Sequence, residues 1–135
     1  MKMKHLLIKA FAGSSLLLLT LTANAQYQPR PENPYPDQRE AGHHRLFDRV
    51  RSDLDRADAA AVPYSGDRDR VAIAREEVNE CQRAVATGEF DQRTFGETIG
   101  AIQRVVDLNR MTARSRSFLT DDISALRDLQ ARLEG

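Results

Sequence analysis

From Phe47 onward the apolar residues recur at alternating spacings of three and four, and that rhythm limits the chain more than any other feature. Phe47, Val50, Leu54, Ala57 and Ala61 form one such series, and Val71, Ala74, Val78, Cys81 and Val85 form a second. Spacing of this kind places side chains on one stripe of an α-helix, whereas a strand would need strict alternation. A third series runs through Phe95, Ile99, Ile102 and Val106, widened by Val105 and Leu108. Ile123, Leu126, Leu129 and Leu133 make a fourth.

The breaks between these series carry turn chemistry. Pro63 stops the first helix, Tyr64, Ser65 and Gly66 read as a turn, and Asp67 is placed to cap the second. Gly88 is suited to close it, because glycine enters the left-handed conformation at no steric cost. The third helix can start at Asp91, or at Thr94, where Thr94 and Glu97 have the spacing of a capping box. Asn109 to Ser117 is polar and loses the rhythm, so the fourth helix is expected from Thr120, with Asp121 and Asp122 meeting the positive end of its dipole. The sequence therefore predicts an all-α fold: a small antiparallel bundle of three to four helices over residues 42–135. The helices are expected at about 42–61, 67–87, 92–109 and 120–134.

Two segments precede that bundle. Residues 1–25 have the three zones of a secretory signal peptide: a basic start at Lys2, Lys4 and Lys9, an uncharged middle centred on Leu16 to Leu19, and an exit at Ala23-Asn24-Ala25. Cleavage is expected after Ala25. The uncharged stretch is short for a membrane anchor, and Gly13, Ser14 and Ser15 interrupt it. The only cysteine is Cys81, so no lipid-anchoring cysteine stands at the cut. An exported product, periplasmic or secreted, with no membrane span after cleavage is the expectation. Residues 26–41 contain four of the five prolines, at Pro29, Pro31, Pro34 and Pro36, and read as a disordered, polyproline-like leader.

Removal of residues 1–25 takes away every lysine. It leaves 17 arginines against 20 acidic residues, three short of neutrality. A nucleic-acid surface needs concentrated positive charge, and here acidic neighbours interrupt every basic stretch, so nucleic acid is not expected as a partner. One cysteine cannot make an internal disulfide, and roughly 90 residues of folded core give limited stability. Stripes rich in alanine and valine bury little area. Together these features favour self-association through helix faces or binding to another envelope protein. Cys81 lies on an apolar stripe, where it acts as a small hydrophobe. Gly96 and Gly100 have the spacing that allows two helix backbones to approach closely.

Catalytic chemistry finds no foothold in this sequence. Glycine-rich phosphate loops, nucleophile elbows and calcium loops are all missing. No cofactor is expected, and the chain does not read as an enzyme. The residues with which it could hold a divalent metal weakly are Asp37, Glu40, His43 and His44. Glu40 and His44 share a helix face, but the second carboxylate–histidine motif of a di-iron bundle is missing. The expectation is thus an exported, non-catalytic protein-interaction module, with weak metal binding in the periplasm as the alternative.

Overall fold

A computed structural model describes the backbone from Pro36 to Gly135 and side chains from Arg39 onward. The expected signal peptide and residues 26–35 of the expected leader lie outside these residues. Four helices follow: α1 (Pro36–Ala59), α2 (Asp67–Thr87), α3 (Gln92–Leu108) and α4 (Ala113–Glu134). No strand occurs among the described residues.

Each helix packs against its neighbours in sequence, and α1 closes the ring against α4. Cross-helix pairs show that neighbours run in opposite directions. Along α1 and α2, His44 meets Gln82 while Asp55 meets Arg75. Along α2 and α3, Thr98 Oγ1 donates to the Glu77 carbonyl at 3.1 Å while Arg70 reaches Asn109. Along α1 and α4, Arg49 meets Asp122 while Arg56 lies over Phe118. The result is an up-down-up-down four-helix bundle.

The apolar stripes supply its core. Phe47, Val50, Leu54 and Ala57 of α1 are buried with Val71, Ala74, Val78 and Cys81 of α2. Phe95, Ile102, Val105, Leu119, Ile123, Leu126 and Leu129 join them from α3 and α4. The spacing prediction fails at Leu108, which is 60% exposed at the last position of α3. The glycine pair also does not act as expected. Space for a Cβ is open at Gly96, and at Gly100 the nearest atom is the Arg104 side chain at 3.9 Å, so no backbone approaches closely there.

Three helix boundaries differ from expectation by more than one residue. α1 begins at Pro36, so residues 36–41 of the expected leader are helical. Proline fits the first helical turn because the N–H it lacks would have no partner there and its φ is already helical. α1 ends at Ala59 and not at 61, where bonds from Ala60 N to Arg56 O and Ala61 N to Asp58 O tighten the chain ahead of Pro63. α4 begins at Ala113, a full seven residues before Thr120, because the Thr112 hydroxyl accepts from Ser115 N at 3.1 Å and caps it. The polar first turns of α4 face the preceding turn and solvent. Arg116, for instance, donates to the carbonyls of Val106 and Asn109, which is why the apolar rhythm is silent there.

Candidate functional site

The antiparallel topology brings the α1–α2 turn and the α3–α4 turn to one end, and a buried carboxylate fastens them together. Asp67 does not cap α2; Gly66 holds that position with φ 77° and supplies no side chain. Asp67 instead turns inward. Its Oδ2 accepts from Val62 N at 3.2 Å and Arg110 N at 3.4 Å, and its Oδ1 accepts from Arg70 at 2.6 Å. Asn109, also buried, donates from Nδ2 to the Asp67 carbonyl at 3.0 Å and accepts from Arg70 Nε at 2.7 Å. Burial acts to raise the Asp67 pKa, but the hydrogen bonds from Val62, Ser65, Arg70 and Arg110 outweigh it and hold the carboxyl below its ordinary range.

Several large aromatic and apolar side chains stand exposed to solvent. Tyr64 is fully exposed and has φ 63°, the left-handed region that costs a bulky L-residue roughly 1–2 kcal/mol. The turn is pinned on both sides of it: Ser65 Oγ donates to the Val62 carbonyl at 2.6 Å, and Gly66 absorbs the second left-handed step. Leu108 and Ile73 are exposed apolar side chains on α3 and α2. Nearby on α4, the Phe118 ring has the Arg114 guanidinium 5.4 Å from its centre and that of Arg56 at 5.6 Å, an arrangement of attractive cation–ring contacts. Tyrosine and arginine are among the residues enriched at the centres of protein–protein interfaces.

Of the four metal candidates, Glu40, His43 and His44 have described side chains, and they do not form a grouped ligand set. His44 faces α2, where Gln82 Nε2 donates to its Nδ1 at 2.9 Å; Arg51 fixes that amide by donating to Gln82 Oε1 at 2.5 Å. His43 looks toward α4. Burial, then the Arg132 charge, lower its pKa below 6.5. Glu40 joins both histidines, Phe47, Gln82, Val85 and Ala86 around a shallow cleft of about 120 Å³. The Asp37 side chain is outside the described set. Among the described residues no three histidine, cysteine or carboxylate side chains are grouped to hold a metal ion.

Sequence reading missed a second buried carboxylate cluster. Asp53 stands three residues before Arg56, the spacing of an ordinary solvated pair on a helix surface, and Asp122 was expected as a dipole partner at a helix start. Asp53 is in fact buried, and Asp122 sits in the middle of α4 with Arg49 Nε 2.8 Å from its Oδ1. The signal was present: Asp122 follows Leu119 by three and precedes Leu126 by four, the spacing of the core stripe itself.

Compared with known protein families, curated proteins and solved structures, the chain matches none.

Proposed function

We propose that this protein is an exported, non-catalytic interaction module of the cell envelope, and that it binds its partner through the end formed by the α1–α2 and α3–α4 turns. The observation that carries this reading is Tyr64: an aromatic side chain held fully in solvent on a left-handed backbone that the surrounding bonds impose. Strain of this kind persists only where neighbouring structure over-determines it, and it concentrates at functional positions. The exposed Leu108 and the arginines around Phe118 belong to the helix ends that meet at the same end of the bundle. The signal-like composition of residues 1–25 supports a partner outside the cytoplasm.

A photo-crosslinking amino acid placed at Tyr64, or at Glu89 on the opposite end, tests the reading in the producing cell. A discrete adduct from position 64, lost with Leu108→Ser and absent from position 89, supports it. Equal labelling from both ends, or none from position 64, overturns it. Export is checked separately by the mass of the accumulated protein, which should begin at Gln26.

A further inference from the structure

α1 and α4 meet at two carboxylates that are almost wholly removed from water. Asp122 is 1% exposed and Asp53 is 4% exposed. Two arginines reach them from outside: Arg49 Nε lies 2.8 Å from Asp122 Oδ1, and Arg56 pairs with Asp53 Oδ1. Both guanidinium side chains are more than half exposed, so water screens much of their charge. The inner oxygen, Asp122 Oδ2, is buried and meets no donor among the described residues, and the Asp53 carboxyl lies beside the same side chain. An ionised carboxylate left this way is among the costlier buried groups.

We propose that Asp53 and Asp122 share one proton across the α1–α4 seam, making the seam a pH-sensitive latch that is tied when the proton is present and loosened when it is lost. The proton sits on one carboxyl and is donated to the other, which satisfies Asp122 Oδ2 with a bond joining the two helices. On deprotonation it passes to water and leaves two buried carboxylates side by side, each with only a partly exposed arginine in compensation. Burial, then the proximity of Asp53, push the Asp122 pKa up to about 6 against the opposing pull of Arg49. The other helices add no charge to the cluster from the core. The buried positions of α3 are Phe95, Thr98, Ala101, Ile102, Val105 and Val106, none ionisable. The one buried carboxylate of α2, Asp67, is engaged at the turn end.

Because the folded pKa is above the ordinary 3.8, the proton's contribution to stability is full below that value and is lost as pH rises from there through about 6. His43 acts in the opposite sense, since its folded pKa is lowered, so the decisive quantity is the difference between wild type and Asp122→Asn. The amide replaces the protonated acid and cannot ionise. Relative to this variant, the full-length wild type should lose about 5 °C or more in melting temperature between pH 5 and pH 7.5. A difference that stays constant with pH overturns the latch. Carbon-13 carboxyl titration of the wild type gives a second readout should the variant fold poorly. One aspartate is expected with a midpoint near 6, moved downward by Asp53→Asn, which takes away the neighbouring carboxyl but not the burial. Titration of every carboxyl below pH 5 overturns the proposal.

Discussion

Asn109 donates from Nδ2 to the carbonyl of Asp67 at 3.0 Å, joining two turns 42 residues apart in the chain. With the Asp67 carboxylate, that bond ties the two turns at the Tyr64 end of the bundle to each other. The same side chain receives Arg70 Nε on its other atom, so every polar atom of the Asn109 amide has a role.

Replacement of Asn109 by alanine should therefore cost about 2 kcal/mol, since it leaves the Asp67 carbonyl and the Arg70 guanidinium without their buried partner. Chemical denaturation of the variant measures this directly. A loss near zero would show that the turns are held by Asp67 alone.

Acid should unfold the protein through a different set of groups from those in the α1–α4 seam. Hydrogen bonds to Asp67 overcome its burial, and bonds from the Thr94 hydroxyl and backbone hold Asp91 down. For both, the folded pKa lies below the ordinary 3.8. Their stabilisation is complete above that value and disappears as pH falls beneath it. Melting temperature should decline below about pH 4, and Asp91→Asn should make that decline shallower.

Cys81 should be silent toward thiol reagents while the protein is folded. It is fully buried on α2, and burial pushes its pKa up to about 11, so almost no thiolate exists at pH 8. Labelling should appear only with denaturant, at the rate of unfolding. Prompt labelling of the native protein would place this thiol on an opening segment.

Tyr64→Gly separates strain from contact. Glycine adopts φ 63° freely but adds freedom to the unfolded chain, so the variant should gain between zero and about 1 kcal/mol. Under the proposed function the same variant loses its partner. A protein that is at least as stable yet no longer captured at this end would distinguish a binding residue from a structural one.

The helical class and the core were legible because they rest on local periodicity. Phe47, Val50, Leu54 and Ala57 announce their face, and α2 was placed from Asp67 to Thr87 by the turn ahead of Asp67, then read as its cap, and by Gly88. Boundaries set by polar contacts were not legible. The first turns of α4 are stabilised by Thr112 and by Arg116 reaching back to Val106 and Asn109, none of which leaves an apolar trace. The turn-end site was half visible. Tyr64 in a Pro-Tyr-Ser-Gly turn reads as exposed, but its left-handed backbone and the joining of that turn to Asn109 depend on tertiary contacts. Asp53 was misread because a carboxylate near an arginine looks the same in sequence whether the pair is wet or dry, and Asp122 because its helix was expected to start at Thr120, two residues before it.

The α1–α4 packing described above has a kinetic corollary. The other three contacts each join helices linked by a short turn, whereas Arg49 and Asp122 are 73 positions apart. Closing that last contact demands the largest loop entropy, so it should form after the three hairpins have docked and open before they separate. Whatever weakens it will shorten the lifetime of the closed ring while leaving the speed of assembly nearly untouched.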